Sequence, residues 1–352
     1  MVFELSDASV SYRPPERITD PHGRLAAAEQ AIRHFQRSGN PRDLSTASRL
    51  IDAFPEPVPP RVTIIDAYVA QARHEFASAQ ALLEALVEEH PSDLRAWTML
   101  ADIHRVRGDL DAAEHACRQR LLISSDPVSV TCLASILGLT GRSDAAADML
   151  HRAASALPAE HPARSWIAGT QAELAVREAR HEQAEQLYRI AMQTPEPPLY
   201  LVAEYVDLLL RKNAHERALA VLQEYPENSA LLVRKAIALQ ALQDPRWREV
   251  DRTLQQLFAL EERRDDAIHL RERAAWLLHV RGKPALALQA ATRNFDLQKE
   301  PEDVHLLLMA AKAAGEPDAA QAAIEFLQRH RPDELPASIA PAPVNASREV
   351  AK

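Results

Sequence analysis

A chain of 352 residues is longer than one ordinary core, and with only 8 glycines and 5% aromatics it is poor material for β-sheet and good material for helices. A formal charge of −9 argues against capture of nucleic acid or anionic lipid by the surface as a whole. Several domains or one helical repeat array remain.

Residues 1–23 carry no helical period, contain PPER and TDPHG, and read as an extended N-terminal arm. Glu4 and Asp7 stand where a secretory signal would have a basic start and an apolar run. No window approaches the roughly 18 uninterrupted apolar residues of a membrane-spanning helix. The chain as written is expected in the cytoplasm; a chain whose signal segment is missing would look the same and belong in the periplasm.

From Arg24 the helical period begins, and it repeats. A small residue five places after a turn returns as Ala47, Ala79, Ala113, Ala146, Ala184 and Ala218, then as Val250, Ala287 and Ala320. The intervals are 32, 34, 33, 38, 34, 32, 37 and 33 residues, a period near 34. Prolines punctuate the pattern in EHPSD, SSDPV, ALPAEHP and PEPP, where a helix must stop. The clearest unit, RAWTMLADIHRVRGDLDAAEHACRQRLL, presents Trp97, Leu100, Ala101, Gly108 and Ala113, with Pro127 closing it. Alanine lets two helix backbones approach, glycine permits the tight turn, and leucines fill the groove of the next hairpin. The first unit has no glycine at the expected place. Two long intervals, holding LPAEHPARSW and LEERRDDAIHL, should bend the array or lengthen a helix.

With these residues the chain resembles the tetratricopeptide repeat (TPR) family over residues 24–332, although His104 and Cys117 stand where that family has an aromatic and a bulky residue. The resemblance implies an all-α, right-handed superhelical α-solenoid of about nine TPR-like hairpins. The phrasing of YLVAEYVDLLLR and LRERAAWLLHVRGKPALALQAATRNFDLQKEPEDVHLLLMAA also resembles a set of bacterial TPR proteins encoded beside a small membrane transporter, which implies an accessory role in a membrane or envelope system. Residues 333–352, rich in Pro, Ala and Ser, are expected to form a disordered tail.

In such a solenoid the first helix of each hairpin lines the concave face. Projection places Arg61, Tyr68, Arg95, Thr98, Asp102, Arg105, Trp166, Glu173, Arg177, Tyr200, Asp207, Arg211, His269, Glu272, Trp276 and His279 toward the groove. Asp102 with Arg105, Glu173 with Arg177, and Asp207 with Arg211 repeat a charge pair on one helix face; each is either an exposed intrahelical ion pair or part of a partner-binding ladder. Trp276 and Trp97 can equally be core residues.

Cys117 and Cys132 lie on helices of neighbouring units, either as free thiols packed like small apolar groups or as a disulfide, which would need an oxidising compartment. The His-Glu pairs at His74, His181 and His215 lack the second histidine of H-E-x-x-H and read as polar turn residues. Neither a G-x-S-x-G elbow nor a phosphate-binding glycine loop occurs. The Lys and Asn set with which some TPRs clamp a chaperone's C-terminal carboxylate is also missing. The expectation is a non-enzymatic scaffold without cofactor or metal that binds a peptide or helix of a protein partner, with nucleic acid disfavoured. The alternatives are an RNA-binding hairpin array and the regulatory subunit of a separate enzyme.

Overall fold

A computed structural model describes residues 20–331, apart from 53, 56, 195–196 and 265–268 and the side chains of 261, 263 and 264. The tail expected over 333–352 and residues 1–19 of the expected arm lie outside the described residues. The last residues of that arm are helical. Pro21 pre-sets the backbone at the first helical position and the Asp20 carboxylate accepts from Gly23 N at 2.6 Å, so α1 starts three residues before Arg24.

All regular structure among the described residues is helical, and it falls into nine antiparallel hairpins. They are α1 (Pro21–Ser38) with α2 (Pro41–Ile51), α3 (Pro60–Ala72) with α4 (Phe76–Glu89), and α5 (Leu94–Arg107) with α6 (Leu110–Ile123). Next come α7 (Pro127–Leu139) with α8 (Ser143–Ser155), α9 (Ala163–Arg177) with α10 (His181–Ala191), and α11 (Leu199–Arg211) with α12 (His215–Leu222). The last three are α13 (Ser229–Ala241) with α14 (Trp247–Arg264), α15 (Leu270–Ala275) with α16 (Pro284–Leu297), and α17 (Pro301–Ala314) with α18 (Gln321–His330). A π-helical turn, Trp276–Val280, extends α15, and a 3₁₀ turn, Pro317–Ala320, leads into α18.

The nine marker residues from Ala47 to Ala320 are all buried, with Val250 the least at 8% exposure. Eight of them lie on the second helix of their hairpin, and Ala320 closes the 3₁₀ turn that leads into α18. Every hairpin also has one residue in the left-handed region at its turn: Gly39, Gly108, Gly141, Gly282 and Gly315, but also His74, Ala179, Asn213 and Asn213's counterpart Gln243. The first unit therefore does carry a turn glycine, displaced to Gly39 because Asn40 and Pro41 cap α2 separately. Of the two long intervals, one is the connection between α8 and α9, and the other accompanies α14, which runs for 18 residues.

Consecutive hairpins share apolar clusters, as a repeat array requires. Cys117 on α6 and Cys132 on α7 form a disulfide between the third and fourth hairpins, so the free-thiol reading does not hold. Beside it Arg120, 5% exposed, donates to Asp126 Oδ1 at 2.7 Å and to Thr98 Oγ1 at 2.7 Å. Thr98 is thus tied into the stack and does not face the groove.

The array also coils back on itself. Backbone Lys299 N donates to Val106 O at 2.6 Å, and Arg331 Nη1 donates to Gly138 O at 2.7 Å. Leu297 packs on the cluster shared by the second and third hairpins. A Cβ built on Gly39 would lie 3.5 Å from Asn228 Cβ, so the first hairpin's turn touches the entry to the seventh.

Candidate interaction surface

The inner face is built from the first helices of hairpins three to nine. On α11 the positions Tyr200, Glu204, Asp207 and Arg211, spaced by four, three and four residues, share one stripe. Tyr200 is 52% exposed and Trp166 of α9 is 47% exposed, with the Trp166 side chain close to the Tyr200 hydroxyl. Burial raises the Tyr200 pKa, with Glu173, Glu204 and Asp102 adding to the rise.

Acids from four helices face one another across this space. Burial pushes the Glu204 carboxyl well up, and Glu173 of α9 with Glu302 and Glu300 at the start of α17 push it further. Glu173 is raised by burial and by Glu302 and Glu300, while Arg177 and Arg105 pull the other way. Asp102 is raised by burial against the pull of Arg105. Glu300 behaves oppositely. Burial alone would raise it, but Arg105 and Arg271 flank it and carry it down to about 2. Its contacts are Arg105 Nη1 to Oε1 at 2.6 Å and Arg271 Nη2 to Oε2 at 2.6 Å. Arg271 Nε also reaches Asp303 Oδ1 at 2.6 Å, and Asn294 Nδ2 donates to that same oxygen at 2.6 Å.

The expected ladder of intrahelical pairs is largely rewired. Arg105 lies 3.7 Å from Asp102 but only 2.6 Å from Glu300, which reaches it from 195 residues away in sequence. Asp207 does not pair with Arg211; Arg234 of α13 donates to it from Nε at 2.9 Å and from Nη2 at 2.5 Å, and Arg211 is left exposed. Arg177 lies against α7 over Gly138, where a Cβ would stand 2.8 Å from its Nη2, and its Nε and Nη2 are buried without a hydrogen-bond partner. Two helix-to-helix reaches, Glu300 to Arg105 and Arg234 to Asp207, thus supply the hydrogen-bonded countercharge that the intrahelical spacing suggested, while Arg177 takes no such partner.

Other expected groove residues lie elsewhere. Arg61 pairs with Glu29 of α1 at 2.5 Å, Tyr68 packs on the first apolar cluster, and Arg95 is exposed in the first turn of α5. Trp276 is 6% exposed, and its indole donates to Asp251 Oδ1 at 2.8 Å while its ring packs on Phe258, so it is core and not an anchor. His269 precedes α15 and lies 3.2 Å from Ser229 Oγ. His279 is on the inner side with His305 and Asp207 nearby; burial lowers its pKa, as does His305. Glu272 lies near Arg234 and Arg271. Sequence reasoning missed Glu204, Arg234, Arg271, Glu300 and Glu302. Glu204 was findable, since it shares the stripe of Tyr200 and Asp207.

No protein-family model and no curated protein matches the sequence. Solved structures do. The human IFIT1 dimer with m7Gppp-AAAA superposes with a TM-score of 0.51 at 12% identity, over 88% of this chain and 81% of that one. A tetratricopeptide repeat protein from Parabacteroides merdae superposes at 0.41 and 11% identity, over 82% and 98% of the two chains. The apo quorum sensor NprR from B. thuringiensis gives 0.42 at 11% identity, over 89% and 90%. The fold is a TPR-like α-solenoid. At such identities the likeness concerns architecture alone. Among the described residues of this TPR-like chain, no helix is long and apolar enough to cross a membrane, and no group of three or more His, Cys, Asp or Glu could hold a metal ion.

Proposed function

We propose that this solenoid is a non-enzymatic interaction scaffold whose inner face holds a peptide or helix of a protein partner, and that the bound segment carries basic side chains. The observation that carries this reading is the exposed Trp166–Tyr200 pair set beside Asp102, Glu173 and Glu204. An aromatic pair offers apolar contact and a π-face to an Arg or Lys side chain, and carboxylates held near one another gain when a cation separates them. Of the expected groove residues, Trp166, Tyr200, Glu173 and Asp102 contact the partner in this reading, Arg211 and His279 border it, and Arg105, Arg177 and Asp207 organise the wall. The Cys117–Cys132 disulfide favours an oxidising compartment such as a bacterial periplasm over the cytoplasm, in keeping with an envelope-accessory role.

IFIT1 is seen with m7Gppp-AAAA, and an RNA reading of the present chain meets the same acids. Phosphates entering between Glu173, Glu204 and Glu302 would be repelled. The test is binding of fluorescent decapeptides, lysine/arginine-rich or aspartate/glutamate-rich, each with one aromatic, and of a random RNA decamer at low salt. The basic peptides are expected to bind, and Trp166→Ala/Tyr200→Ala or Glu173→Gln/Glu204→Gln to weaken them about tenfold or more. Equal affinity for acidic peptides, indifference to both double variants, or tighter binding of RNA would overturn the reading.

A further inference from the structure

We infer that the contact of the eighth and ninth hairpins with the third and fourth is a latch, which holds the superhelix shut over its inner face and opens to admit the partner. A repeat array needs only its neighbours, so nothing in the stacking requires the third hairpin to meet the eighth and ninth. The contact is nevertheless specific. A backbone bond joins Lys299 N to Val106 O at 2.6 Å, Glu300 takes Arg105 at 2.6 Å, and Arg331 caps Gly138 O at 2.7 Å. At Gly108 the surfaces leave no room for a side chain: a Cβ there would be 2.8 Å from Phe326 Cε2 and 2.9 Å from Lys299 Cδ.

The chemistry of this contact differs from that of the stack. Between consecutive hairpins the joints are buried Ala, Leu and Val, which lose contact energy and gain nothing from water when parted. At the latch Leu297 and Phe326 supply apolar contact, and beside them stand hydrogen bonds, one of them from the buried Arg331, and an ion pair whose side chains are 28% and 19% exposed. Water can replace the partly exposed ion pair at small net cost, which it cannot do for buried apolar surface. The latch is therefore the place where the array parts first. Closing it also brings Glu300 and Glu302 toward Glu173 and Glu204, and parting relieves that repulsion while uncovering the acids a basic segment would meet. This last step rests on the interaction reading above; the latch itself does not.

The experiment therefore reads the free, full-length chain. Hydrogen exchange is followed at the amide of Lys299, whose acceptor is Val106, and at core amides of α9 and α11, in 50 mM and 500 mM NaCl, for the native chain and for Phe326→Ala and Phe326→Ala/Arg331→Ala. The expected result is that Lys299 exchanges at least tenfold faster in the double variant and several-fold faster in high salt, the core amides stay unchanged, and the radius of gyration by X-ray scattering increases. Exchange at Lys299 that ignores both salt and substitution would overturn the latch. So would exchange in the native chain that rises in high salt only in step with the core amides, since the contact would then open only by global unfolding. That arm decides even if a variant fails to fold. Phe326→Ala, which alters no charge, should also speed association of a basic decapeptide; an unchanged rate with Lys299 deprotected would leave the latch standing and sink its role as a gate.

Discussion

The third hairpin meets the rest of the molecule in two ways that obey different physics. Toward the fourth it is stapled by Cys117–Cys132, packed by Ala113, Ala116 and Leu133, and pinned by buried Arg120 on Asp126. Toward the eighth and ninth it is held by Arg105 on Glu300, by one backbone bond, and by Leu297 and Phe326 against its surface. The first junction joins residues close in sequence through a large shared apolar cluster; the second joins residues nearly 200 apart and sets polar bonds and an ion pair beside local apolar contacts. Stability and shape should therefore be separable in this chain, because different contacts govern them.

The sharpest test of that separation is the disulfide. A bridge spanning 15 residues restricts the unfolded chain by about 3 kcal/mol, so reduction, or Cys117→Ala/Cys132→Ala, should lower stability by about that much in urea melts. The radius of gyration should not change. An expanded but equally stable molecule would mean the two junctions have been assigned the wrong way round.

Acid should act on both junctions, with a sign that can be worked out. Glu300 is held at about 2 against an ordinary 4.5, and Asp126 at about 2 against 3.8; burial opposes both shifts, and Arg105 with Arg271, or Arg120 with Ser129 N, overcomes it. A carboxyl lowered on folding stabilises fully above its unfolded value and loses that contribution as pH falls through its folded one. Both contributions should fade between about pH 4.5 and 2. Glu204 and Glu173 have the opposite sign: raised on folding, they favour the closed form when protonated, and that favour is lost as pH rises through their folded values. The groups that face Glu300 are Arg105 and Asp102 of α5, Glu173 of α9, Glu204 of α11, Arg271 of α15 and Asp303 of α17, while Glu272 acts on Arg271 and Glu302 on Glu173 and Glu204. Lys299 amide exchange measured down the pH scale should stay slow to about pH 4.5 and then accelerate, after correction for intrinsic rates. In Glu300→Gln the acid-dependent step should vanish, with Lys299 unprotected throughout.

What could be read from sequence follows the same division. The stack was legible because its signal is local and periodic: Ala79, Ala113, Ala146 and Ala218 recur near every 34 residues and are buried at their crossings. The inner face was legible in part. Trp166, Tyr200 and Glu173 could be projected from helical spacing, whereas the partner of Arg105 is Glu300, a residue 195 positions away that no helical spacing connects to it. Trp276 was ambiguous because an aromatic at helical spacing suits a core and a groove equally, and only Asp251 as acceptor decides it. Asp207 was paired with the nearest cation in sequence, Arg211, while Arg234 reaches it across the hairpin boundary. Closure depends on the accumulated rotation of six hairpins, to which no short window of sequence is sensitive.

The turns give the finest test, since they belong to the stack and should leave the latch untouched. Ala179 holds φ at 56°, where a Cβ is crowded by the following carbonyl at a cost of about 1–2 kcal/mol, yet five other hairpins place glycine at this point. Ala179→Gly removes that strain and returns part of the gain as extra freedom of the unfolded chain, for a net stabilisation of about 0.5–1 kcal/mol. Asn213→Gly should gain less, because asparagine tolerates the left-handed region better than alanine. Both are read from urea midpoints at constant slope. If Ala179→Gly instead destabilises the chain while Lys299 exchange stays slow, the left-handed turn at Ala179 is not under strain, and its residue identity contributes to the stack in another way.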